Sequence, residues 1–139
     1  VGFPGETHKD FDELMDFVKV HSFERVGVFA YSREEGTAAY DFIGQVPERV
    51  KKSRMRKLMS LQAKIAQKYQ EGLVGRVLKI LVEERQKDVK NMFIGRSEYD
   101  APDVDGVVYV KSGRPLCQGE FVDVRITQAL GYDLEGEVI

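Results

Sequence analysis

The sequence predicts two architectures in one chain, an α/β portion followed by a small all-β barrel. Three observations carry this. The first 31 residues read as a strand end, an amphipathic helix and an apolar strand. The apolar period changes from 3.6 to 2 just after Gly72. Five short strands with glycine-bearing turns then follow within about 68 residues, the pattern of a closed barrel of the oligonucleotide-binding kind. A boundary near residue 70 separates residues 1–70 from residues 71–139.

The chain starts on "VGFPGET", residues 1–7. Gly2 and Gly5 permit positive φ or close backbone approach, so the stretch reads as a strand end running into a turn. Thr7 is an N-cap with Asp10 three residues on, in the manner of a capping box. Phe11, Leu14, Met15 and Val18 recur at helical spacing, which predicts an amphipathic helix to about His21. "RVGVFAY", 25–31, has the composition of a buried strand, and "SREEGT", 32–37, is a loop. Strand end, helix and strand form an α/β unit, where ligands sit at the carboxyl ends of strands. One such unit cannot close a sheet and leaves edges unpaired, so residue 1 is expected to lie inside a larger protein.

A long helix follows, with Pro47 in its first turn and an end near Gly72. Val50, Met55, Leu58, Leu61, Ile65 and Tyr69 mark its buried side. Arg49, Lys51, Lys52, Arg54, Arg56, Lys57, Lys64 and Lys68 are read on the other, as a solvated basic face or a contact for nucleic-acid phosphate. Beyond it, Leu78, Ile80 and Val82 begin the first strand, and "ERQKDVK" makes the hairpin to "NMFIGRS", 91–97. "GVVYV", 106–110, "EFVDVRIT", 120–127, and "YDLEGEVI", 132–139, complete the set, read as a five-stranded antiparallel barrel. Val122, Val124 and Ile126 face one way, and Asp123, Arg125 and Thr127 the other.

Charge and cysteine content narrow the function. The net charge of −2 conceals an asymmetry: residues 1–47 carry 4 Lys/Arg against 9 Asp/Glu, residues 48–97 carry 14 against 5, and residues 98–139 carry 3 against 9. No run approaches the roughly 18 apolar residues of a membrane helix, so no membrane partner is expected. A single cysteine, Cys117 in "GRPLCQG", excludes an internal disulfide and points to a reducing compartment, the cytoplasm. It also excludes a multi-cysteine metal or iron–sulfur site built by this chain alone. His8 and His21 lack partners at metal-ligand spacing, so no metal site is expected.

Taken in series, "VGFPGET", "VFAYSREEGTAA" and "VPERVKKSRMRKLMSLQAKI" resemble the late part of the radical-SAM barrel of methylthiotransferases, and the strand-rich remainder resembles their TRAM domain. One branch of that family modifies an adenosine of tRNA and has a "YSPRPGT" form of the loop. The other, RimO-type, modifies an aspartate of the small-subunit ribosomal protein number twelve and has "EEGT". Glu34, Glu35, Gly36 and Thr37, with "GRSEYDAPDVDGVVYV", are similar to the second. The resemblance implies the last strand–helix units of a (β/α) barrel, two [4Fe–4S] clusters with ligands outside this segment, and S-adenosylmethionine (SAM) as methyl donor and radical source. It implies no catalytic residue within the segment, which is expected to be inactive alone. The partner is the ribosomal protein or the ribosome, with RNA as a second one.

In that setting the turn of Gly2, Pro4, Gly5 and Glu6, and the strand end at Tyr31 and Ser32, lie at a ligand mouth and are the candidate SAM contacts. Glu6 either accepts a hydrogen bond from a SAM amine or ribose, or favours the helix N-terminus. Tyr31 either packs on the adenine or is a core tyrosine. The adjacent Glu34 and Glu35 need not converge, so they suit contact with a basic substrate, or solvation, better than paired acid–base chemistry. From Leu73 onward, 9 Lys/Arg face 12 Asp/Glu, which disfavours RNA binding by the barrel. Glu98, Asp100, Asp103 and Asp105 crowd one loop and are the candidate docking residues for a basic ribosomal protein.

Overall fold

A computed structural model of the chain describes residues 1–87 and 89–139. The chain divides into two compact units, Val1–Ile65 and Ala66–Ile139.

In the first unit, helix α1 (His8–His21) begins with the expected capping box. The Thr7 hydroxyl accepts from the Asp10 N–H at 3.2 Å, and the Asp10 carboxylate accepts from the Thr7 N–H at 2.7 Å. The helix ends at Ser22, whose left-handed φ of 50° returns its N–H to the Val18 carbonyl. Phe11 and Val18 are buried, and with Leu14 and Met15 they pack on Leu58, Leu61 and Ile65 of helix α2 (Glu48–Glu71). Pro47 sits just ahead of α2 and its carbonyl accepts from the N–H groups of Val50 and Lys51.

The strand expected at 25–31 is not formed. The segment is extended, but its pairing is confined to one residue: Val1 donates to Phe29 O at 2.7 Å, and Tyr31 N donates to Val1 O at 2.8 Å. That alternation is the bond pattern of a parallel pair with Val1 opposite Ala30, and α1 is the crossover a parallel pair requires. A ladder needs successive neighbours, and among the described residues Val1 alone supplies this edge. Phe29 is left 83% exposed. A single 3-10 turn, Ala38–Asp41, follows the "SREEGT" loop.

The second unit is a closed five-stranded barrel: β1 (Val77–Arg85), β2 (Met92–Arg96), β3 (Val108–Lys111), β4 (Phe121–Leu130) and β5 (Asp133–Val138), in the order β1-β2-β3-β5-β4. The expectation of an antiparallel barrel needs one correction. β3 and β5 pair in parallel, with Val108 opposite Leu134 and Lys111 opposite Glu137. The reason is parity: direction cannot alternate all the way round a ring of five, so at least one neighbouring pair must be parallel. The hairpin between β1 and β2 contains Asp88, which lies outside the described residues.

Period-2 patterning builds the barrel interior. Ile80, Val82, Val108, Val110, Val122, Val124, Ile126 and Leu134 point inward with Phe93, while Asp123, Arg125 and Thr127 face out as read from the sequence. Bulges at Val82/Glu84 and Ile126/Gln128 help strands this short curl into a ring. Gly136 sits where a side chain cannot: a Cβ there would lie 2.5 Å from the Val124 side chain and 2.6 Å from Arg125 O. The connection from β3 to β4 drops Leu116 into the core and is tied to β1 by two backbone bonds, Val82 N to Glu120 O and Gly119 N to Val82 O.

Candidate functional site

The first unit gathers the residues read as the ligand mouth. Phe3, Pro4, Gly5 and Glu6 form a β-turn closed by the Glu6 N–H on Phe3 O at 2.9 Å, with Gly5 at φ +86°. Proline then glycine at the two central positions is the chemistry of a type II turn. Gly2 is buried, and a Cβ on it would lie 2.4 Å from Lys51 Cγ. This is the close approach that the glycine allows. Tyr31 lies beside the turn, its ring edge-on to Phe3 at 5.2 Å.

Two cations of α2 fasten these loops together. Arg54 donates to the Glu6 carboxylate and, at 3.1 Å, to the Glu6 carbonyl. The other Glu6 carboxylate oxygen accepts from the Gly2 N–H at 2.7 Å. Lys51 donates to Tyr31 O at 2.9 Å and to Glu48 at 2.6 Å, and that bond holds the Glu48 carboxyl below the usual carboxylate range. Lys51 and Arg54 are therefore buried, at 3% and 5% exposure, and not part of a solvated basic face. The sequence reading missed their role, although helical geometry carried the signal. At 100° per residue, Lys51 and Arg54 lie within about 40° of Leu58, on the apolar side. Arg54 Nε is buried without a partner among the described residues.

Glu6 thus spends its carboxylate on the turn and on Arg54. Ser32 donates to Glu34 at 2.6 Å, and the Tyr31 hydroxyl donates to Ala39 O at 3.2 Å. The surface left exposed beside the turn is aromatic. Phe3, not singled out from the sequence, is half exposed beside Tyr31 and Phe42. Its signal was an aromatic side chain placed between Gly2 and Pro4.

The acidic loop of the second unit is not uniform. Asp100 is buried and accepts from the Ser97 N–H at 2.9 Å and the Ser97 hydroxyl at 2.6 Å. Asp105 accepts from the Ala101 N–H at 2.8 Å. These two shape the loop, which leaves Glu98 and Asp103 as its exposed carboxylates. Asp103 and Asp105 help line a cleft of about 530 Å³ with Glu83, Glu84, Arg96 and Gln118. The one cation in its wall, Arg96, is paired to Glu83 at 2.7 Å.

No cluster of three or more metal-ligating side chains occurs among the described residues. His21 stacks among Phe17 and Phe23, and Cys117 is exposed and alone. One cysteine cannot supply the thiolates of an iron–sulfur cluster, so this chain's residues do not fit that group.

A family profile described as a TRAM domain matches residues 74–139, which covers the barrel. Over the full chain, the proteins from Pelotomaculum thermopropionicum and Acetivibrio thermocellus are each 50% identical across 139 residues, and the one from Desulforamulus reducens is 46% identical across 138. Each of the three bears the name ribosomal protein uS12 methylthiotransferase RimO. Along its whole length the chain is similar to a segment of proteins that bear the RimO name. It spans about a third of the length of these relatives: 31%, 30% and 31%. The RimO-family likeness runs through both units, so the clamped turn and the barrel are both parts of that segment. No helix is long and apolar enough to cross a membrane among the described residues.

Proposed function

We propose that this chain contributes the closing strand–helix elements of a radical-SAM barrel and a substrate-docking TRAM domain to an enzyme that adds a methylthio group to the β-carbon of an aspartate in ribosomal protein uS12. The observation that carries the reading is the likeness at 50% identity through both units to proteins named for that reaction. The parallel pairing of Val1 with Ala30 across α1 supports the barrel part of it.

Within that enzyme, Gly2, Pro4, Gly5, Glu6, Tyr31 and Ser32 line the SAM site. The type II turn brings main-chain groups to a nucleoside without side-chain obstruction, and the paired Phe3 and Tyr31 rings offer a surface for the adenine. Glu6 acts here by fixing the turn through Arg54. When bound, SAM supplies the methyl group and the radical that takes a hydrogen from the substrate carbon. The [4Fe–4S] clusters of the family are held by residues outside this chain.

The barrel carries an excess of carboxylates, and Glu98 and Asp103 present them on one loop. That charge suits a basic ribosomal protein, through faster encounter and a fixed orientation. The experiment is binding of the intact protein to uS12 and to a tRNA anticodon stem-loop, at low and moderate salt. The reading expects salt-sensitive preference for uS12, weakened by the Glu98→Lys, Asp103→Lys pair. No salt-sensitive binding to uS12, or binding that the Glu98→Lys, Asp103→Lys pair leaves unchanged, would overturn the docking reading.

A further inference from the structure

We propose that the solvent face of α2 is an RNA-binding surface: Arg56, Lys57 and Lys64 contact phosphates, and a cleft between them takes an unstacked base. The proposal goes beyond the transferase reading and does not depend on it. Its basis is the division of the helix's cations into two populations. Lys51 and Arg54 are buried and paired, whereas Arg49, Arg56, Lys57 and Lys64 are exposed and form no ion pair among the described residues. Residues 1–47 carry 9 acidic side chains, yet among the described residues none forms an ion pair with these four cations.

A second observation gives the face a shape. Arg56, Lys57, Ser60 and Lys64 line a shallow, open cleft of about 450 Å³ together with Met15 of α1 and Leu61 of α2. Cations and apolar side chains lining one cleft match a nucleotide, with its anionic phosphate and the flat face of its base. The Ser60 hydroxyl can donate to or accept from a base edge. An acidic peptide would use the cations but not Met15 and Leu61. Arg56 and Lys64 are separated by about 12 Å along the helix axis, which spans more than one phosphate of a single strand.

The test uses the intact protein and a short fluorescein-labelled single-stranded RNA of mixed sequence, read by anisotropy across a salt series. The Arg56→Glu, Lys57→Glu, Lys64→Glu triple is compared with Arg76→Glu, Lys87→Glu, Lys90→Glu on the barrel, which changes the net charge equally. The proposal expects the α2 triple to lose at least about tenfold in affinity and to flatten the log–log salt slope by about 2, with little loss in the barrel triple. Ser60→Leu fills the cleft without changing charge or adding an aromatic stacking surface, and should weaken binding. Equal loss in both triples, or no loss in the α2 triple, overturns the proposal. So does displacement of the RNA by polyglutamate at matched charge, which would make the face a general anion patch.

Discussion

Arg54 and Glu6 meet where neither side chain has water to fall back on, at 6% and 16% exposure. A buried pair of this kind contributes little net stability, but removing one partner strands the other. Arg54→Met should therefore destabilise the first unit by about 3–5 kcal/mol in chemical denaturation. The same substitution should loosen the turn at Gly2 and Glu6. Gly2→Ala combines left-handed strain at φ +80° with a collision against the Lys51 stem, and should cost about 1–2 kcal/mol or more. In the barrel, Glu120 is held below the usual carboxylate range by Arg114, with help from the Cys117 N–H. Its folded pKa lies below its unfolded one, so its contribution is present above the unfolded value and disappears as pH falls through the folded value. Arg114→Met should raise the Glu120 titration midpoint, read by NMR of its side-chain carboxyl carbon. An unchanged midpoint would assign the depression to the Cys117 N–H alone.

At the scale of elements, α2 is the informative case. Its length and its apolar positions were legible, since Leu58, Leu61 and Ile65 follow local rules. What the sequence obscured was that four polar residues, Lys51, Arg54, Gln62 and Gln70, share the buried stripe. A polar residue on the buried side of a helix declares its partner only in three dimensions, and here each of the four has a main-chain carbonyl among its partners. Gln62 donates to the carbonyls of Phe23 and Glu24, each at 3.0 Å, and stitches down the chain leaving α1. Gln62→Ala should cost about 1–3 kcal/mol by leaving those carbonyls unsatisfied. Hydrogen exchange along 22–25 should rise with it. The strand expected at 25–31 failed for a different reason. Composition reports that a segment can pair, not whether a neighbour is there to pair with.

On the scale of the whole molecule, the barrel was legible because its strands alternate over most of their length and most of its connections carry glycine. Its one parallel pair follows from strand number and not from any residue. The turn at residues 3–6 was legible from its proline and glycine, and the clamp beneath it was not. Gly136→Val tests closure of the ring, since the new side chain would collide with Val124 and Arg125. It should lower barrel stability by about 1–3 kcal/mol or more. The central claim concerns chemistry. It is tested most directly by incubating the intact, cluster-loaded protein with SAM, a sulfur donor and reductant, together with both ribosomal subunit protein uS12 and tRNA. Mass spectrometry then reads both products. The account predicts one methylthio group on an aspartate of uS12 and unmodified tRNA. A methylthioadenosine in the tRNA with unmodified uS12 would contradict it.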